Sequence, residues 1–159
     1  MPIIKDRRIV EDGWTHVAPD AAALPAGDII VPLAVWKSRK EELSARNGGL
    51  GLRLEPGEHP GEIVDDLPRF SMIALNFPNF RDGRAYSYAR LLRERYGFKG
   101  EIRAVGDVGR DQIFFMARCG INAFEVKAGK SIEDALAALS DFSVTYQNAA
   151  DTPLPVFRR

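Results

Sequence analysis

SMIALNFPNFRDGRAYSYARLLRERYGFKGEIRAVGD, residues 71–107, spells strand, helix, strand. SMIALNF (71–77) is a short apolar run, the mark of a strand buried on both faces. In DGRAYSYARLLRERYG (82–97), Ala85, Tyr88, Ala89, Leu92 and Tyr96 fall at i, i+3, i+4, i+7 and i+11. That spacing lays one apolar stripe along a helix, and Gly97 is placed to end it. EIRAVGD (101–107) then returns as a strand. Two strands joined through one helix are expected to lie parallel, linked by a right-handed crossover.

The same alternation extends both ways. Upstream, IIVPLAVW (29–36) reads as a strand that Pro32 marks as an edge or an end. KSRKEELSARNGG (37–49) reads as a helix stopped by Gly48-Gly49, LGLRLEP (50–56) as a strand and GEIVDDLPRF (61–70) as a short helix. Downstream, RDQIFFMARCG (110–120) is a predicted helix and AFEVK (123–127) a strand. SIEDALAALS (131–140) is a helix opened by Ser131, with Asp134 three residues on. FSVTYQ (142–147) is a predicted last strand, followed by an extended tail. Residues 1–28 read as an N-terminal extension packed on the domain, where Ile3-Ile4 and Ile9-Val10 alternate with charges as a short edge hairpin. AAALPAG (21–27) reads as a loop, and residues 29–159 as one α/β domain. The expected fold is a mainly parallel sheet of about six strands, either an open three-layer sandwich or a partial-barrel-like arc.

Bulk properties narrow the function classes. The 22 basic and 22 acidic residues cancel, which argues against a nucleic-acid binder relying on bulk charge. One cysteine, Cys119, excludes an internal disulfide. Charges interrupt the first residues where a signal peptide would need an apolar segment, and no apolar run approaches the ~20 residues of a membrane helix. The expectation is a cytoplasmic protein bound to neither membrane nor nucleic acid.

Ligands of parallel α/β sheets bind at the carboxyl ends of the strands, so the residues just beyond each strand form the candidate site. After 71–77 come Asp82, Gly83, Arg84 and Ser87; Asp107 ends 101–107 and Arg110, Asp111 and Gln112 follow it; Lys127 ends 123–127. Function is therefore expected within 76–120, at two strand-to-helix junctions. Gly83, Arg84, Ser87, Arg110, Gln112 and Lys127 are the candidate anion or ligand binders, since helix starts offer unpaired N–H groups. Asp82, Asp107 and Asp111 are the candidate catalytic carboxylates. The competing expectation is that Asp82 and Asp107 simply cap helices, and that Arg90 and Arg93 form a solvated helix face, Arg90 pairing with Glu94.

Several chemistries lack their signatures. Gly106 and Gly109 do not make GxGxxG, and no Walker lysine motif occurs. His16 and His59 have no partner at metal-ligand spacing, so no metal is predicted. No cofactor motif is recognised. Cys119 is a candidate redox residue only if Arg118 outweighs the helix dipole.

The block FPNFRDGRAYSYARLLRERYGFKGEIRAVGDVGRDQIFFMARCGINAF (77–124) resembles the signature of a bacterial domain family of unknown function. Its members are often described as probable oxidoreductases involved in sulfite reduction. The matching runs are 77–93, 100–112 and 118–121, with Ile121 where phenylalanine is more usual. The resemblance implies a role in sulfur assimilation beside assimilatory sulfite reductase. It leaves three functions as expectations. The first is an accessory protein binding an oxyanion, a cofactor or a partner such as sulfite reductase or another sulfur-assimilation protein. The second is a small enzyme with an Asp/Arg site. The third is a structural homodimer joined through Arg90 and Arg93.

Overall fold

A computed structural model describes residues 2–79 and 83–143, with the backbone alone for 141–143. The chain is mixed α/β, built on one eight-stranded sheet. The strands are β1 (Pro2–Lys5), β2 (Arg8–Glu11), β3 (Trp14–His16), β4 (Asp28–Pro32), β5 (Leu50–Leu54), β6 (Met72–Phe77), β7 (Glu101–Gly106) and β8 (Ala123–Phe124). From β3 to β8 they lie side by side in chain order, all parallel. The hairpin β1–β2 then adds antiparallel to β8. The expected edge hairpin is present. Among the described residues the sheet has eight strands rather than about six: residues 1–28 contribute β1, β2 and β3, and five of the six expected strands follow as β4 to β8.

An open doubly wound sandwich reverses strand order partway; here the order never reverses. Successive crossovers of one hand then place their helices on one face, and the sheet curls around the other. Two observations fix the curl. β2 and β3 are the outermost strands, yet only Asp12 and Gly13 separate them. Three Cα steps span at most about 11 Å, so the sheet's two edges meet there. In addition, His16 at the end of β3 touches Glu125 just past β8 at 2.9 Å. In a flat sheet those strands would stand about 24 Å apart at a spacing of about 4.8 Å.

The outer face packs against α1 (Leu33–Ser38), α2 (Lys40–Ala45), a 3-10 segment (Pro60–Arg69), α3 (Arg84–Arg90), α4 (Arg110–Arg118) and α5 (Ile132–Ser143). Ile29, Leu52, Ile73, Leu75, Phe77, Ile102, Ala104 and Phe124 alternate along the strands into one apolar core with Trp36, Leu43, Leu92, Ile113 and Leu139. Burying each large side chain contributes ~1.5–3 kcal/mol.

Several elements end elsewhere than the sequence suggests. β4 stops at Pro32 and the apolar run continues as α1, burying Leu33, Val35 and Trp36. A short apolar run does not distinguish strand from helix. The predicted helix 37–49 breaks at Arg39, whose guanidinium binds the carbonyls of Ala21 and Ala22 and the Glu42 carboxylate. The helix predicted over 82–97 begins at Arg84 and holds most of its predicted face, with Ala85, Tyr88, Ala89 and Leu92 buried and Tyr96 partly so. It widens into a π turn, Leu91–Arg95, closed by Tyr96 N–H to the Leu91 carbonyl at 2.9 Å. Ser131 accepts from Asp134 N–H at 3.1 Å, the expected cap of α5. That helix runs through Ser143, so the first two residues of the predicted strand 142–147 are helical; the rest of that strand and the tail lie outside the described residues. Among the described residues no helix is long and apolar enough to cross a membrane.

Candidate functional site

The two predicted junctions do adjoin at the carboxyl edge. Asp107 N–H donates to the Phe77 carbonyl at 2.7 Å. Tyr86 on α3 sits between Phe77, met edge-on, and the tilted ring of Phe115 on α4, each with ring centroids 4.9 Å away. Gly106 sits at φ +96, and a Cβ there would collide with Asn76 Oδ1 and the Phe77 carbonyl, so the turn requires glycine.

Asp107 is not a helix cap. Gly109 holds that position for α4 without a side-chain bond. The Asp107 carboxylate instead lies 3.4 Å from Lys130 Nζ and 3.7 Å from Lys127 Nζ. Lys130 also lies over Gly109, at the start of α4. Arg110 and Asp111 are exposed on the first turn. Gln112 is half-buried there, with its Oε1 unpartnered among the described residues. A basic rim of Arg110, Lys127 and Lys130 thus surrounds the α4 N-terminus. On α3, Gly83, Arg84 and Ser87 are exposed, and the Arg84 guanidinium lies beside Gly57 in the turn after β5. Asp82 lies outside the described residues.

Cys119 is fully buried. Burial pushes its thiol up, against the opposing pull of the Arg90 guanidinium and then Arg118. Arg90 pairs with Glu94 at 3.2 Å, as the i, i+4 spacing predicts. Arg93 corrects the expected solvated face. Its guanidinium donates to the carbonyls of Gly120 (2.9 Å), Phe98 and Gly100 (both 2.8 Å), tying the helix end to two loops.

The densest charge cluster lies elsewhere, on the inner face of the curl, and sequence reasoning missed it. Arg103 on β7 is 1% exposed. Its Nη1 donates to Asp12 Oδ1 at 3.0 Å and Glu125 Oε2 at 2.8 Å, and its Nε donates to Glu101 Oε2 at 2.8 Å. Lys5 reaches Glu101 at 3.3 Å. His16 Nε2 contacts both Glu125 oxygens, at 3.1 and 2.9 Å, while its Nδ1 faces Arg53 Nη1 at 3.4 Å. Because arginine only donates, the neutral ring carries its hydrogen on Nε2, toward Glu125. Arg53 pairs with Glu55, which accepts from Asn76 at 2.6 Å.

Register explains how long cations fit inside. Arg53, Ala74, Arg103, Ala123 and Lys5 pair in that order across β5, β6, β7, β8 and β1. Each alanine leaves room for the cations beside it. The rest of the inner face is apolar: Ile30, Met72, Ala74 and Val105 against Trp14. Burial pushes Glu125 up, but hydrogen bonds from His16 and Arg103 prevail and hold it below the usual Glu value. For Arg103, burial is outweighed by Glu125, Glu101 and Asp12, which favour its charged form. One signal was available in the sequence. Glu101 with Arg103, and Arg53 with Glu55, place charges at i and i+2 in otherwise buried strands, so one face had to be polar.

Comparison with curated proteins and with solved structures finds no match for the chain. The model of one family, described as a bacterial protein of unknown function (DUF934), matches residues 51–157, a span that includes both junctions and most of the inner cluster but not Lys5, Asp12 or His16. That match covers more than half of the sequence, and the chain therefore belongs to this family.

Proposed function

We propose that the protein is an accessory component of sulfite reduction in assimilatory sulfur metabolism, binding an oxyanion or an anionic partner surface at the carboxyl edge of its sheet. The observation that carries the binding reading is the basic rim. Arg110, Lys127 and Lys130 gather at the start of α4, where Gly109 leaves the first N–H groups without a side-chain cap. Such a terminus favours negative charge. The placement in sulfur metabolism rests on the resemblance of residues 77–124 to a family described in those terms. Asp107, held by two lysines, serves in this reading as the anchor that spaces them rather than as a base.

A deletion strain grown on sulfate, sulfite or sulfide tests the role. Rescue by sulfide but not by sulfite is the expected result; rescue by both places the step upstream and overturns it. Co-purification with the sulfite reductase subunit, weakened by Lys130→Glu with Arg110→Glu, tests the rim. A second reading is a small enzyme working at the same edge. It is favoured by the convergence of Asp12, Glu125 and Arg103 below the rim.

A further inference from the structure

We propose that the interior of the curled sheet is a binding site for a small amino-acid-like zwitterion, its ammonium group received by Asp12 and Glu125 and its acid group by Lys127. The site shares only Lys127 with the basic rim, and it holds whether or not the rim serves sulfur chemistry.

Position comes first. A cavity of about 260 Å³ opens at the carboxyl end of the strands, lined by Asp12, Gly106, Glu125 and Lys127 with apolar walls that include Ile3 and Val126. Parallel α/β proteins place ligands at that end. The volume is below the ~300–1,000 Å³ of drug-sized sites, which limits the occupant to a small molecule.

Charge comes second. Asp12, Glu101 and Glu125 all contact Arg103, and among the described residues the only other permanent cation on them is Lys5. His16 adds a further hydrogen bond to Glu125. Asp12 and Glu125 stand on either side of a single nitrogen, Arg103 Nη1. The hydrogen bonds to Asp12, from Trp14 N–H and Arg103, both end on Oδ1. Its Oδ2 therefore has no donor among the described residues, although Asp12 lines this cavity and also the one opening toward the other end of the strands. An ammonium group in the cavity would donate to this oxygen and to Glu125. A metal ion fits less well, because no three His, Cys, Asp or Glu side chains among the described residues are placed to hold one.

Cost comes third. Burying an ion cluster is seldom favourable, and apolar replacements of similar volume are often neutral or stabilising. The neighbouring inner surface is apolar. Folding alone therefore does not call for the cluster, whereas ligand recognition does. At the mouth, the exposed Lys127 ammonium faces the acid end of such a ligand, and Gly106 contributes backbone without a side chain to obstruct it.

Titrating the full chain with L-alanine, ethylamine or propionate, and following backbone amides by two-dimensional NMR, tests the assignment. L-Alanine is expected to shift Gly106, Glu125 and Ala128 saturably, ethylamine more weakly, and propionate not at all. Asp12→Asn and Glu125→Gln should each weaken L-alanine by about tenfold, equivalent to ~1.4 kcal/mol. Should either variant fail to fold, Lys127→Met decides. It should weaken L-alanine while leaving ethylamine unchanged. Absence of saturable shifts with both amines, or propionate binding as well as L-alanine, overturns the proposal. Sulfite added to Asp12→Asn probes the rim separately: shifts at Arg110 and Lys130 that survive the substitution keep the rim reading even if the interior site fails.

Discussion

The two faces of one sheet are built on opposite terms. The outer face presents a continuous apolar surface to the helices, with Phe77, Ile73 and Leu75 fully buried. The inner face, on the same strands, buries Arg103 against three carboxylates. Outer residues contribute through area removed from water, which is nondirectional and tolerant of shape-conserving change. Inner residues contribute through matched charges, where losing one partner strands the others. The contrast teaches that burial alone does not identify the fold-forming side of a strand; the partner chemistry does.

The largest expected effect breaks the inner face. Arg103→Met leaves Asp12, Glu101 and Glu125 without their shared cation and should cost about 3–5 kcal/mol by chemical denaturation. Phe77→Ala on the outer face should cost a similar ~3–5 kcal/mol through lost transfer energy and a cavity. The two should separate with pH: acid that protonates the stranded carboxylates should lessen the Arg103→Met deficit, while the Phe77→Ala deficit stays nearly constant. Equal pH responses of the two variants would remove the distinction between the faces.

Next is Arg93→Ala, which leaves the carbonyls of Gly120, Phe98 and Gly100 without their donor. Hydrogen bonds to a charged group are worth ~1.5–3 kcal/mol each and are not additive, so a loss of about 2–3 kcal/mol in thermal or denaturant melts is expected. A loss under ~0.5 kcal/mol, the level of an ordinary surface change, would return Arg93 to a solvated helix face.

The pH profile of the intact chain gives a smaller effect. Folded Glu125 titrates below its unfolded value. Its contribution is therefore full above the unfolded carboxyl value of about 4.3 and is lost as pH falls through the folded value. Glu125→Gln should flatten the stability slope below that pH relative to the parent chain; an unchanged slope would show that Glu125 gains nothing from His16 and Arg103.

The smallest stability effect belongs to the rim. Lys130→Met should change stability by no more than ~0.5 kcal/mol, since exposed ion pairs contribute little. It should still weaken binding of a sulfur oxyanion, read by calorimetry with sulfite. A large stability loss would mean that Lys130 and Asp107 hold the fold instead of a ligand.

The sequence by itself determined the alternation of strands and helices, the parallel sheet, the hairpin of β1 and β2 and the apolar face of α3. Each is a local pattern of period 2 or 3.6 that a short window reveals. It also marked the junctions 77–87 and 106–112, because glycine, proline and charge at a strand end are local signals too. Only the tertiary structure decided that Asp107 belongs to Lys127 and Lys130 rather than to the helix cap, that Arg93 turns inward, and that the sheet curls until its edges meet at Asp12 and Gly13. The inner cluster depends on that curl. Asp12 and His16 come from the sheet's two meeting edges, Arg103 and Glu125 from the neighbouring strands β7 and β8 in its middle, with bonded partners up to 109 positions apart in the sequence. Contacts at such separations arise from how strands order and bend, and no window of sequence short enough to show periodicity contains both partners.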